Sequence, residues 1–145
     1  MAVLKILTPV DGSPASLRAV DFALEMLAQA PGGSLVLLNV QNVGSVDPLG
    51  VAAMAPPDWF PDVASRASEQ ALRNALSKCE RANITFKPLV RVGQVAKTIA
   101  EVAREEDAGQ IVMGTRGLGG IQGLLLGSVA TQVIHLADVP ITLMK

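Results

Sequence analysis

Short apolar runs alternate along this chain with longer stretches in which apolar residues recur every three or four positions. The first pattern predicts buried β-strands and the second predicts amphipathic helices. Strands are predicted at Val3–Pro9, Ser34–Val40, Ile84–Val92, Gln110–Met113 and Val139–Met144. Helices are predicted at Pro14–Gln29, from about Asp62 through Cys79, at Gln94–Glu106 and at Val129–Leu136. This alternation indicates an α/β fold with a parallel sheet and right-handed crossovers.

Two regions depart from the simple alternation. Pro88 lies within the third predicted strand, and because proline cannot donate a ladder hydrogen bond, it indicates a strand at a sheet edge. The connection Gln41–Pro61 is about twenty residues long, which is well above the usual length for such units. It is either a cover over a ligand or a partner surface, or an ordinary loop held on the core by Trp59, and we favour the loop.

A glycine-rich segment joins the fourth predicted strand to the last helix. Gly114–Gly117 is followed, after nine further residues, by Gly127 and Ser128. Glycine lets the backbone approach a ligand, and the N-terminus of the following helix attracts anions. The segment therefore predicts a phosphate-binding site, with Ser128 as a hydroxyl donor and Arg116 as the loop's only cation. A solvated surface loop is the alternative, and the apolar residues interleaved with the glycines argue against it.

The predicted end of the first strand carries a carboxylate, Asp11. Open α/β sheets bind ligands outside the carboxyl ends of their strands, where a carboxylate accepts hydrogen bonds from a ribose or helps to hold a divalent metal. The alternative role for Asp11 is a turn or a helix cap. Ser13 is the better cap, because it places Pro14 at the first helical position, so we expect Asp11 to be available to a ligand.

Taken together, these segments resemble the universal stress proteins of the ATP-binding type. The resemblance covers nearly the whole chain and is weakest between Gln41 and Pro61. Two positions depart from the usual pattern: Asn39 stands where histidine is frequent, and Gln94 with Val95 replaces an acidic, proline-like helix start. The matching segments are Val10–Ser13, Leu38–Val40, Ile111–Gly117, Leu124–Val129 and Val139–Ile141.

The resemblance implies a Rossmann-like, three-layer domain over residues 1–145, with strand order 3-2-1-4-5 and a bound ATP with Mg²⁺ or Mn²⁺. Asp11 would contact the ribose or the metal, and the Val40 backbone would meet the adenine edge. The glycines and Ser128 would surround the phosphates. The candidate nucleotide-binding residues are Pro9, Val10, Asp11, Val40, Met113, Gly114, Arg116, Gly117, Gly127, Ser128 and Val129, with Asp11 also the candidate metal ligand.

Composition and charge narrow the function further. A chain of 145 residues is long enough for one domain with a sizeable core. Its net charge of −1 gives no general attraction to nucleic acid or to anionic membranes, and its apolar runs are too short to cross a membrane. Residues 1–7 lack the pattern of a signal peptide, and the single cysteine, Cys79, is typical of a buried apolar position. These features predict a soluble cytoplasmic protein.

No catalytic residue is predicted. The only histidine, His135, lies about two turns of helix from Ser128, and no lysine accompanies the phosphate motif, so rapid hydrolysis is not expected. The leading hypothesis is an ATP-binding regulatory or stress-response protein, acting as a nucleotide-dependent switch or interaction module with an unidentified protein partner. The alternatives are a slow ATPase or nucleotidyl-transfer enzyme at the same site, and an interaction protein with a vestigial site.

The last predicted strand, Val139–Met144, also bears on assembly. It carries no charge before Lys145 and lies at a sheet edge under the inferred strand order. An edge of this kind invites pairing with another chain. A monomer whose own helix and loop cover the strand is the alternative, and the family resemblance favours a homodimer in which the two copies pair antiparallel.

Overall fold

The strands and helices lie close to their predicted positions. A computed structural model describes residues 3–42, 59–116 and 126–145, and for residues 59–64 the backbone alone. The strands are β1 (Lys5–Pro9), β2 (Ser34–Gln41), β3 (Thr85–Val92), β4 (Gln110–Gly114) and β5 (Ile141–Met144). The helices in these ranges are α1 (Pro14–Ala28), α2 (Trp59–Ala82), α3 (Val95–Glu105) and α4 (Ser128–Leu136). The predicted order of elements is confirmed, with ends that differ by a few residues.

All neighbouring strands are parallel, in the order β3-β2-β1-β4-β5. This confirms the predicted open five-stranded sheet and its strand order. β3 forms one edge, as Pro88 predicted, and β5 forms the other. β2 extends beyond β1, because Pro9 pairs with Leu38 while β2 continues along β3 to Gln41. Within the described part of the chain, the last residues of β2 therefore have no strand on the β1 side.

Alternate strand residues enter two cores, one on each face of the sheet, as the three-layer prediction required. The core under α1 and α2 centres on the strand residues Ile6, Leu35, Leu37 and Val112 and on Val10, which follows β1. The core under α3 and α4 centres on Leu7, Val36, Leu38, Ile111 and Met113. Strands buried on both faces are nearly continuous in apolar residues, which explains the runs seen in the sequence. No helix within the described ranges is both long and apolar enough to cross a membrane.

The core under α1 and α2 also buries three polar side chains whose roles differ. Within the described part of the chain, Thr8 Oγ1 and Ser68 Oγ have no hydrogen-bond partner. Thr8 lies on β1 and is fully buried, so a valine of the same shape is expected to be tolerated or to stabilise the fold.

The third of these side chains is Cys79. The pKa of its thiol is raised to about 11, first by burial and then by the nearby Glu80 carboxylate. The thiol is protonated at neutral pH, which confirms Cys79 as a buried apolar side chain.

The long connection Gln41–Pro61 falls mostly outside the described residues, so neither interpretation of it is tested. One part of the prediction changes. Trp59 is the first residue of α2, which therefore begins three residues before the predicted helix start at Asp62.

Candidate functional site

A cavity of about 420 Å³ opens at the carboxyl ends of β1, β2 and β4. The first turns of α1, α3 and α4 complete its walls. β1 and β4 are neighbours, and the chain leaves them on opposite faces, since α1 covers one core and α4 covers the other. The cavity thus lies where the strand order reverses, which is the usual ligand-binding position in open α/β sheets.

The predicted binding residues come together at this cavity. Gly117 lies outside the described residues, so its position is not tested. A ligand's contacts with the others remain a prediction, but their shared location supports it. The predicted residues that line the cavity are Pro9, Val10, Asp11, Val40, Met113, Gly114, Arg116, Gly127, Ser128 and Val129.

The turn from β1 to α1 holds Asp11 at the cavity wall. Ser13 caps α1, because its Oγ accepts a hydrogen bond from the Ser16 amide at 3.2 Å, as predicted. Asp11 also takes part in the turn, since its Oδ1 accepts a hydrogen bond from the Ser13 amide at 2.9 Å. The sequence expectation had assigned Asp11 to a ligand alone. Gly12, between them, has a φ of +85°, a left-handed conformation that glycine adopts without strain. The carboxylate is therefore pre-oriented by the turn.

The end of β2 contributes backbone groups and two buried amide side chains. The carbonyl of Leu38 accepts from the Val10 amide at 2.8 Å, and the carbonyl of Gln41 accepts from the Gly93 amide on the β3 side at 3.0 Å. Because the backbone groups of a strand alternate in direction, those of Val40 point like those of Leu38, towards the β1 side. β1 has ended there, so the N–H and C=O of Val40 face the cavity.

The sequence interpretation missed the two amide side chains. Asn39 and Gln41 line the cavity and are 2% and 9% exposed. Asn39 was noted only as a departure from the family pattern. Two amides at alternate positions at the end of an otherwise apolar strand were the available signal, since a buried polar side chain needs a hydrogen-bond partner.

The glycines of the β4–α4 crossover are required by close packing as well as by any ligand. A Cβ at Gly114 would lie 2.8 Å from the Cβ of Ala15, so a side chain there would collide with the first turn of α1. A Cβ at Gly127 would lie 3.0 Å from the carbonyl oxygen of Thr115, which already accepts from the Gly127 amide at 2.6 Å. Packing therefore excludes a side chain at Gly114, whereas a Cβ at Gly127 would require a small shift of the Thr115 carbonyl.

The N-terminus of α4 opens into the cavity. Its N-cap residue is Gly127, which has no side chain to cap the helix. The next residues, Ser128 and Val129, line the cavity, and Ser128 is exposed. The first amides of a helix have no partner within it, and the helix dipole makes this end positive. The arrangement suits an anion, with the Ser128 hydroxyl beside it.

Charge in the described lining is sparse and of both signs. Asp11 supplies a carboxylate, and the exposed Arg116 supplies a guanidinium at the rim. Among the described residues, no group of three or more His, Cys, Asp or Glu side chains could hold a metal ion. Any cation bound in this cavity would therefore need ligand oxygens in addition to Asp11. His135 lies in the last turn of α4, at the end opposite the cavity.

Comparison with known proteins places this geometry in context. Residues 3–145 match the model of the universal stress protein family. Universal stress protein YxiE of Bacillus subtilis is 27% identical over 97% of this chain and 98% of its own length. Universal stress protein MJ0531 of Methanocaldococcus jannaschii is 30% identical over 97% of this chain and 81% of its own length.

Solved structures with a similar fold include universal stress proteins as well. A universal stress protein in complex with cAMP is 26% identical and has a TM-score of 0.67 over 99% of this chain and 98% of that one. The universal stress protein of Archaeoglobus fulgidus in complex with dAMP has a TM-score of 0.70 over the full length of both chains, at 22% identity, a likeness of fold. Since the family model spans almost every residue, the chain belongs to the universal stress protein family.

Proposed function

We propose that the cavity binds an adenine nucleotide and that the protein acts as a nucleotide-dependent regulatory or interaction module in a stress response. The observation that carries the proposal is the uncapped N-terminus of α4, which opens into the same cavity as Asp11 and the backbone of Val40. Phosphate, ribose and base would each meet a suitable group there. Nucleotide complexes of structurally similar universal stress proteins support this choice.

Each part of the nucleotide has a position in the proposed complex. The adenine edge would meet the backbone of Val40, and the base would lie against the apolar lining. The ribose would donate to Asp11, and the phosphates would lie on the first amides of α4 beside Ser128. Arg116 would complete the phosphate site. The described apolar lining for the base comprises Pro9, Val10, Leu38, Val95, Ile99 and Met113.

ATP would bring a divalent cation with it. A triphosphate is strongly negative, and Arg116 is the one cationic side chain in the described lining. Mg²⁺ or Mn²⁺ would be held by phosphate oxygens together with Asp11, because Mg²⁺ is usually bound by one or two carboxylates plus substrate phosphates. AMP carries less negative charge, so its binding does not require a divalent cation.

Calorimetric titration of the purified protein with AMP, cAMP and ATP tests the proposal. AMP is expected to bind without added metal, whereas Mg²⁺ is expected to strengthen ATP binding by about tenfold, since it neutralises the phosphates. Inorganic phosphate is the control for a bare anion site. Failure of all three nucleotides to bind would contradict the proposed function.

Turnover of ATP is expected to be slow or absent. In the described lining there is no lysine at the phosphate position, and Asp11 is the one acid–base group, placed for the ribose or metal. Positioning water for attack on a phosphate normally needs such groups. Phosphate release would be followed at saturating ATP and Mg²⁺. A rate near the enzyme median of about ten per second would contradict the regulatory role and favour the alternative of an ATPase.

The two sheet edges differ in a way that favours a homodimer through β5. β3 carries Pro88 together with Lys87 and Arg91, which pair with Glu106 and Glu105. Charged residues and proline on an edge strand discourage pairing with another chain. β5 has neither, since its four residues are Ile141, Thr142, Leu143 and Met144. An antiparallel pairing of two β5 strands about a twofold axis would cover this edge.

A further inference from the structure

The two buried amides at the end of β2 form a short hydrogen-bonded chain. Asn39 Nδ2 donates to the carbonyl oxygen of Val10 at 2.7 Å. Gln41 Nε2 donates to Asn39 Oδ1 at 2.6 Å. Because the Val10 carbonyl only accepts, it requires the amino group of Asn39, and this leaves Asn39 Oδ1 to accept from Gln41. Gln41 thus fixes the orientation of the Asn39 carboxamide.

The bond to Val10 occupies a position that a backbone amide would otherwise take. Val10 already continues the β1–β2 ladder, since its amide donates to Leu38. In a parallel ladder the next bond would run from the Val40 amide to the Val10 carbonyl. That backbone bond is not formed among the described residues, and the Asn39 side chain donates to the Val10 carbonyl instead.

We infer that Asn39 is a positioning residue that keeps the Val40 amide available to the base. The inference rests on the proposed function, adenine-nucleotide binding at this cavity. The adenine edge presents an acceptor, N1, beside a donor, the N6 amino group. The backbone of Val40 presents the matching N–H and C=O. Without Asn39, the Val10 carbonyl would take the Val40 amide and compete with N1.

The selective variant is Asn39→Leu, which keeps the branching of the side chain at Cγ and removes the donor. Wild type is expected to prefer AMP over 1-deaza-AMP, in which a C–H replaces N1, by about tenfold, since the Val40 amide then lacks an acceptor. Asn39→Leu is expected to bind AMP about tenfold more weakly and to lose most of this preference. If Asn39 had a purely structural role, the variant would bind both ligands more weakly by the same factor, and the ratio of the two affinities would not change.

Two further variants keep the comparison clean. Asn39→His restores a ring N–H donor and is expected to recover much of the preference for AMP. Thr8→Val alters a buried hydroxyl on the same face of the neighbouring strand, one that has no described partner, and is expected to change neither affinity nor preference. Loss of the AMP preference in Thr8→Val would overturn the assignment to Asn39.

Hydrogen exchange supplies a readout that needs no nucleotide. In the ligand-free protein, the Val40 amide is expected to exchange more slowly in Asn39→Leu than in wild type, because it gains the Val10 carbonyl as acceptor. Loss of packing alone would make exchange faster. If wild type bound no nucleotide, the proposed function would fail and the exchange rate would still decide the role of Asn39. Unchanged exchange with an unchanged AMP preference would overturn the inference.

Discussion

Replacing Ser128 by aspartate is expected to weaken AMP binding by at least about tenfold while leaving the fold equally or more stable. Ser128 is exposed, begins α4 and lines the cavity. A carboxylate in the first turn of a helix stabilises it by about 0.3–1 kcal/mol through the helix dipole. The same carboxylate would compete with the phosphate for the first amides of α4 and repel it. Calorimetry gives the affinity, and thermal unfolding gives the stability.

Ser128→Asn is the matched control, because it has the same shape without the charge. It is expected to bind AMP nearly as wild type does. Added salt should reduce the difference in AMP affinity between the two variants, since salt screens the carboxylate at this exposed site. If Ser128→Asp bound AMP as tightly as Ser128→Asn at low salt, the phosphates would not lie at the start of α4. This comparison avoids Gly127, where a Cβ would lie 3.0 Å from the Thr115 carbonyl oxygen and would strain the packing whether or not a ligand binds.

A substitution of Leu143 by proline is expected to convert the proposed homodimer into a monomer. The carbonyls of Pro140 and Met144 accept from the amides of Ile111 in β4 and of Thr115 just after it, so by alternation the backbone groups of Thr142 also face β4. Those of Ile141 and Leu143 therefore point to the open edge. Proline at position 143 removes an edge donor and introduces a ring where the second strand would pair. Light scattering after size exclusion would measure the mass.

Leu143→Ala distinguishes the contribution of the Leu143 side chain to the dimer from that of its backbone amide. It truncates the side chain and keeps the amide, so it is expected to weaken the dimer less than Leu143→Pro does. Thr142→Pro would break the internal bond to β4 and is expected to lower the unfolding temperature of the protein itself. A wild-type protein that is monomeric at micromolar concentration would contradict the β5 interface.

The sequence pattern predicted the parallel sheet and the position of the cavity, and the family resemblance implied the strand order. Strong apolar periodicity marked the strands and helices, and parallel strands bring their carboxyl ends together whatever the details of packing. Asp11 and the Gly127–Ser128 pair therefore fell at one site although more than a hundred residues separate them along the chain. Pro88 located an edge strand because its missing N–H is a local property that no tertiary contact alters.

Features that depend on a particular contact were not predicted. The hydrogen bond from Ser13 to Asp11 depends on a left-handed glycine between them, and the Asn39–Val10 bond depends on how far β2 extends beyond β1. The apolar pattern of the sequence predicts neither the conformation of this turn nor how far one strand extends beyond its neighbour. The start of α2 at Trp59 was missed because Pro61 suggested a loop, whereas proline is well tolerated in the first turn of a helix.

The contact between Gly114 and Ala15 bears on how sequences of this family are interpreted. Because the first turn of α1 leaves no room for a Cβ at position 114, selection for folding alone would preserve that glycine. A relative that had lost its ligand would be expected to keep it. The informative position for assigning nucleotide binding is instead the exposed residue that begins α4, Ser128 here, where packing imposes no such limit. A bioinformatic marker should weight that residue above the first glycine.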